Sequence, residues 1–305
     1  MVSARRRTAW ATGISTACGA LALALGVAVL SAWWFGIEPL VQPLPTFPEM
    51  DPSTAVWLVL LGCAQLLLRN PAVGFSRRLA TTLAVVVYVF ATLTLAEYAL
   101  GADLKIDRMF IHIPLHSTTS YPSGRSAPET AGVFLILSAA VVAIDMRIAN
   151  RVYVTDALST LAWLLAVLPL AGYVYGSTAL YRGPIPRTGI APHTIVGIFA
   201  LSFGLLCLRP DRPMMRLLTS SLAGGFVVRK LLLGALAIPG IGLLVMVGSD
   251  ASLYEQPFAA ALLAVSAMAI ALILVFFTGR ALDRLDAVRT ESERHVAESE
   301  ERLGT

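Results

Sequence analysis

The sequence predicts an all-α integral membrane protein: an eight-transmembrane-helix bundle with three same-orientation two-helix repeats and a C-terminal cytoplasmic helix. Three observations lead there. The 305 residues are 57% hydrophobic and 14% charged, with a mean hydropathy of +0.75, a balance that the surface of a water-soluble domain does not tolerate. Apolar runs long enough to cross a hydrocarbon core of about 30 Å fall at 12–34, 52–68, 79–99, 128–144, 155–176, 192–208, 229–248 and 257–278. Three of these runs open alike, with Pro, one variable residue and Thr: Pro52/Thr54, Pro128/Thr130 and Pro192/Thr194.

The first run follows Arg5, Arg6 and Arg7, is longer than a signal-peptide core, and leads through Ala32 into Trp33 and Trp34 instead of a polar mature sequence. It is expected to remain as a span with the N-terminus in the cytoplasm. Alternating the eight spans leaves Lys105, Arg108, Arg125, Arg182 and Arg187 outside and the other 18 of the 23 basic residues inside, which places both termini in the cytoplasm. The pI near 9.1 comes from these anchoring charges and argues for a membrane surface, not nucleic acid.

The connector after span 1 carries prolines at 39, 43, 45, 48 and 52 and is expected to be extended and well anchored. Trp33, Trp34 and Trp57 fall near one interface and Trp10 near the other, as in an aromatic belt. The loop 101–127 is too short for a separate extracytoplasmic domain. Cys18, Cys63 and Cys207 each lie within a span, without a CxxC pair, and are expected to be small residues at helix contacts. Between spans 6 and 7, PDRPMMRLLTSSLAGGFVVRK is basic at both ends and apolar between, which suits an interfacial helix with a Gly224-Gly225 hinge or a plain loop.

Residues 1–278 thus form the membrane domain, and 279–305 a cytoplasmic signalling helix or coiled-coil linker. That tail holds seven acids and five bases, with Leu282, Arg289, Val296 and Leu303 seven residues apart. Arg280, Leu282, Leu285, Val296 and Leu303 are the candidate relay residues, and a homodimer through 279–305 is one arrangement they allow.

Proline suits the first turn of a helix, where its missing N–H costs nothing, and Asp51 or a nearby Thr can cap the free N–H groups. Spans 2, 4 and 6 run in one direction, so their three starts face one aqueous boundary and can place their partial positive charges around a common pocket. Glu97, Asp107 and Arg108 approach that boundary, and Arg125, Glu129 and His193 flank the second and third starts. Thr54, Thr130, Thr194, Glu129, His193, Glu97, Asp107 and Arg125 are the candidate ligand-binding residues; a salt-bridged rim, with Glu97 reaching water and His193 at an exposed capping position, is the alternative.

The stretches MDPSTAVWLVLLG, EYALGADLKIDRMF with GRSAPETAGVFLILS, GYVYGSTALY with IAPHTIVGIFALSFGLL, and LLTSSLAGGFVVRKLL, covering about 50–235, carry a resemblance. They resemble the multipass N-terminal sensor region of bacterial signalling proteins, chiefly PAS-containing sensor histidine kinases and some diguanylate cyclases. The terminal ESEERL is similar to the entrance of a PAS domain. Where that family commonly shows Asn-Thr-Ala, this chain has Ser-Thr-Ala, Glu-Thr-Ala and His-Thr-Ile.

The resemblance implies a sensory input module in the bacterial inner membrane. Its partners would be the lipid bilayer and a cytoplasmic kinase or cyclase output domain in cis or trans. The chain shows no phosphoacceptor helix, ATP-binding lobe or GGDEF sequence, so it is expected to be an input fragment or a stand-alone relative.

No cofactor, metal or catalytic residue is expected. His112 and His116 are four apart, but Pro114 breaks a regular helix between them, and no Cys or carboxylate nearby completes a metal set. His295 lies in the charged tail and reads as a solvated helix face. The alternative function is a small-solute transporter, for which Gln65 and Pro239-Gly240 are the few midplane polar or helix-breaking features. No Gly-x-Ser-x-Gly, His-Glu-x-x-His or paired intramembrane Asp supports an intramembrane enzyme.

Overall fold

A computed structural model describes residues 2–69, 74–106, 125–149, 152–183, 188–220, 223–251, 253, 255, 258–275 and 278. The chain is an all-α membrane protein apart from one short ribbon. Its elements are α1 (Val2–Phe35), α2 (Glu38–Val41), α3 (Pro52–Leu67), α4 (Gly74–Leu100), α5 (Pro128–Val142), β1 (Arg147–Ala149), β2 (Val152–Tyr153), α6 (Val154–Val174), α7 (Thr178–Tyr181), α8 (Pro192–Cys207), α9 (Pro213–Thr219), α10 (Ala223–Asp250) and α11 (Phe258–Val275). Five stretches are long and apolar enough to cross a membrane: Trp10–Phe35, Gly74–Leu100, Val154–Val174, Gly224–Ser249 and Phe258–Val275. Three apolar helices, α3, α5 and α8, are shorter.

The chain divides into two compact units, Met1–Met215 and Arg216–Thr305. In the first unit, long and short helices alternate and close on themselves. Helix α1 packs on α3 and α8, α4 on α3 and α5, and α6 on α5 and α8, while the three short helices also touch one another. Burial separates the two kinds. Ten of the 16 residues of α3 and of α8, and eight of the 15 of α5, are buried, against six of 27 in α4 and seven of 21 in α6.

The short helices are therefore the inner ones. At about 1.5 Å per residue they are shorter than a hydrocarbon core is thick, and the long helices pack around them. The long helices bury one stripe each, Ala80, Ala84, Val87, Ala91 and Thr94 on α4 and Thr155, Ser159, Ala162 and Ala166 on α6, and expose larger apolar side chains elsewhere. Small residues on the buried stripe let the backbones approach.

The contact between α1 and α3 is the closest of this kind. A Cβ added to Gly26 would lie 2.6 Å from the Ala55 carbonyl oxygen, and one on Gly62 would lie 2.8 Å from the Leu23 nitrogen. The three short helices run in the same direction. Leu58 meets Gly197 and Gln65 meets Gly204, so α3 and α8 are parallel; Thr54 meets Ser126 and Trp57 meets Phe134, so α5 follows suit.

Several local expectations are corrected. Trp57 is 1% exposed and packs 5.5 Å from Phe134, and Trp33 is buried, so neither belongs to an interfacial belt; Trp10 and Trp34 are exposed. The connector after α1 is anchored, as its prolines suggested, by Met50 N donating to Val41 O and Gln42 Nε2 donating to Phe47 O, but it is not extended throughout, since α2 forms a helical turn within it. Cys207 is buried and Cys18 and Cys63 partly so.

In the second unit, Gly224 and Gly225 lie inside α10 and form no hinge, because the helix already begins at Ala223. Helix α10 also continues through Pro239, as spans can when neighbouring groups satisfy the freed carbonyl. Leu274 of α11 packs against Gly234. The proposed tail, with Arg280, Leu282, Leu285, Val296 and Leu303, lies outside the described residues, as do Asp107, Arg108, His112, His116 and His295.

Candidate functional site

Each short helix starts the same way. The residues before the prolines, Asp51, Ala127 and Ala191, are extended, with φ/ψ of −65/149, −56/146 and −65/149, and the proline occupies the first turn. No side chain caps any of the three, so Asp51 does not play the capping role expected of it. Instead the carbonyl two residues before each proline accepts a hydrogen bond from an aromatic side chain of the preceding long helix. Trp33 Nε1 donates to Met50 O (2.9 Å), Tyr98 Oη to Ser126 O (3.3 Å) and Tyr173 Oη to Ile190 O (2.7 Å). An amphipathic ring seats its apolar body in the helix contact while its polar tip fixes the turn.

Around the first two starts lies a buried polar cluster. Ser126 Oγ is hydrogen-bonded to both Ser53 Oγ (2.7 Å) and Thr54 Oγ1 (2.6 Å), which joins the first turn of α3 to the residue pair leading into α5. Beside it, Arg125 lies 3.2 Å from Glu97 Oε1 and 3.2 Å from Asp103 Oδ1, with its guanidinium 5.5 Å from the centre of the Tyr98 ring. Leu104 N donates to Glu97 Oε1 at 2.7 Å.

The Glu97 side chain is wholly buried, so it does not reach water as its end-of-span position suggested. An enclosed carboxylate stays ionised only with a charged or hydrogen-bonding partner; Arg125 and the Leu104 amide supply both.

Thr130 and Thr194 are as buried as Thr54. Glu129 sits against Gly183, its carboxylate where a Gly183 Cβ would fall. His193 is only partly exposed, not the open capping residue expected. Among the described residues, Trp57 Nε1, Glu129 Oε2 and both His193 ring nitrogens are buried without a hydrogen-bond partner. Each lies in the first two turns of a different short helix. Nearby, Phe47, Tyr173 and Tyr181 form an aromatic cluster, with Tyr173 and Tyr181 stacked at 4.2 Å, beneath Arg182 Nη2 donating to Thr46 O.

The opposite end of the first unit holds a second cluster that sequence reasoning missed. Arg212 is 3.1 Å from Asp156 and 3.5 Å from Asp145, donates to the Ile144 carbonyl and lies 4.2 Å over the Tyr153 ring. Arg77 bonds Asp145 at 2.9 Å, and Arg209 Nη1 donates to Leu68 O at 3.3 Å. Arg209 and Arg212 serve carbonyls at the C-terminal ends of α3 and α5, where cations are favoured. Burial is the largest influence on Arg209 and lowers its pKa from the ordinary arginine value, with Asp145 acting in the opposite sense. The sequence signal was the spacing of Asp145, Asp156 and Arg212 at three helix boundaries, visible only once those boundaries are paired.

Between the clusters the interior is apolar save for small hydroxyls and Gln65, whose Nε2 donates to Ser15 O at 2.8 Å. Among the described residues no group of three His, Cys, Asp or Glu is placed to hold a metal ion. No protein-family model, no curated protein and no solved structure matches this chain.

Proposed function

We propose that the chain is the membrane-embedded sensory input module of a bacterial signal-transduction protein, of the two-component histidine kinase type its sequence resembles. In this reading it has eight spans in the inner membrane, with α3, α5 and α8 among them as short inner spans. Three same-orientation repeats pair α1 with α3, α4 with α5 and α6 with α8. Both termini are cytoplasmic, so the Thr54 end faces outward. A stimulus there shifts the hairpins, and residues 279–305 relay the change to an output domain.

The observation that carries the reading is the set of open buried groups, Trp57 Nε1, Glu129 Oε2 and the His193 ring, on three converging helix starts. Unpartnered buried polar atoms cost about 1–3 kcal/mol each, a cost that a bound polar molecule would remove. Trp57 and Glu129 each lie three residues beyond a member of the Thr54–Ser126 contact, so such a molecule has leverage on how α3 and α5 meet.

The test is a fusion of residues 1–305 to a histidine kinase or cyclase output. Output activity should change when Glu129→Gln, His193→Gln or Thr54→Val is introduced singly or together. Activity indifferent to all of these, and to deletions within 35–260, would sink the proposal. Transport remains the second reading on the strength of Gln65 alone; solute flux in liposomes bearing the full chain would revive it.

A further inference from the structure

The chain passes from α5 to α6 through a short two-stranded ribbon. Strands β1 and β2 pair antiparallel, with Arg147 opposite Tyr153 and Ala149 opposite Val152. The register shifts between these two pairs. At the root of the ribbon Arg147 and Tyr153 meet, and Arg147 stays exposed. Arg147 lies 4.8 Å over the Tyr153 ring, and Arg212 covers the same ring while it holds Asp156 and Ile144.

Three apolar residues at the ribbon are bare: Met146 is 61%, Ile148 70% and Val152 47% exposed. Single exposed apolar residues are ordinary, but three adjoining ones on so small a ribbon mark a contact surface. Its surroundings say which contact. The ribbon joins the end of one apolar helix directly to the start of another, and α6 continues the exposed apolar surface through Leu161, Leu164 and Leu168. Arg77, bonded to Asp145 at the root of the ribbon, brings in the start of α4, where Phe75 and Leu79 are exposed beside the exposed Arg78. Apolar side chains and guanidinium groups at one level of a membrane protein match the boundary where acyl chains meet phosphates.

We propose that the β1–β2 ribbon is a membrane-surface wedge that docks on anionic lipid headgroups, with Met146, Ile148 and Val152 at the acyl boundary and Arg78 and Arg147 at the phosphates. The inference rests on the membrane fold and not on the sensory reading. Because Tyr153 of the ribbon lies under Arg212, docking on lipid also steadies the place where the chain leaves α8 for α9.

The test uses the full chain, with Cys18, Cys63 and Cys207 replaced by Ala, in nanodiscs of phosphatidylcholine alone or mixed with phosphatidylglycerol. Spin labels at Met146→Cys, Ile148→Cys and Val152→Cys are read by collision with oxygen and with a water-soluble nickel chelate; Asp211→Cys is the aqueous reference. Labels at 146, 148 and 152 should collide preferentially with oxygen, and more so when phosphatidylglycerol is present.

Arg78→Gln and Arg147→Gln should each weaken the anionic-lipid preference about fivefold, the effect of about 1 kcal/mol per arginine at an anionic surface. Unlabelled Ile148→Asp gives an independent readout, with faster amide exchange over 146–153 than the wild type in phosphatidylglycerol discs. Three results would each overturn the proposal: free access of the nickel chelate at 148, shielding from both reagents by protein, or a depth indifferent to phosphatidylglycerol. No signalling output enters the measurement, so its failure and that of the sensory reading are separable.

Discussion

Both ends of the six-helix ring bury an arginine between two carboxylates, yet the two arginines join different things. Arg125 is held by Glu97 and Asp103, from the end of α4 and the turn just after it, so its ion cluster lies within the α4–α5 hairpin; the Ser126 hydroxyl next door makes the link to α3. Arg212 instead reaches groups 56 to 68 positions earlier, on α6 and at the end of α5. One end closes a hairpin, and the other fastens hairpins together.

In enclosure the two are alike: each arginine holds one enclosed carboxylate, Glu97 with no exposed side-chain surface or Asp156 at 11%, and one half-exposed, Asp103 at 48% or Asp145 at 46%.

The order of expected effects then depends on what each replacement leaves beside the enclosed carboxylate. Arg125→Leu leaves Glu97 enclosed without its cation and should cost about 3–5 kcal/mol, read as a large fall in the unfolding midpoint in detergent. The double variant Glu97→Gln/Arg125→Leu should recover a substantial part of the loss. Arg212→Gln, which keeps an amide donor beside Asp156 and the Ile144 carbonyl, should cost less, about 1.5–3 kcal/mol; a loss equal to that of Arg125→Leu would show that the cation and not the hydrogen bond matters there.

Tyr173→Phe and Tyr98→Phe each delete one helix-start hydrogen bond and should cost about 1 kcal/mol, with Tyr173 the larger because its bond is shorter. Thr54→Val should cost about as much or less. Paired with Ser126→Ala it should cost less than the sum of the two single changes, since both remove the same contact.

The positions of the apolar helices and the Pro-x-Thr starts were legible in the sequence because both are local patterns. Glu97 and Arg125 were picked out as candidates from their positions at span ends, though not as partners. The aromatic donors Trp33, Tyr98 and Tyr173 were hidden by composition: a Trp or Tyr at a span end reads as an interfacial residue, and only the facing carbonyl shows otherwise. Arg212 was concealed for the opposite reason, since a basic residue in a loop between spans reads as one more anchoring charge. The inner role of α3, α5 and α8 follows from which helices surround them, a property of the assembled ring that no single segment carries.

The aromatic donors have a consequence for biogenesis. Each bond lies inside its own hairpin, 17, 28 and 17 positions apart. A hairpin can therefore lock soon after its second helix leaves the ribosome, before the next one exists. The contact between α1 and α8 cannot form until the last of the six helices has been made. Assembly then proceeds as three self-contained insertions and one late closure. A chain stalled before residue 192 would sit in the bilayer with two finished hairpins and an open seam along α1, the surface a membrane quality-control protease would meet.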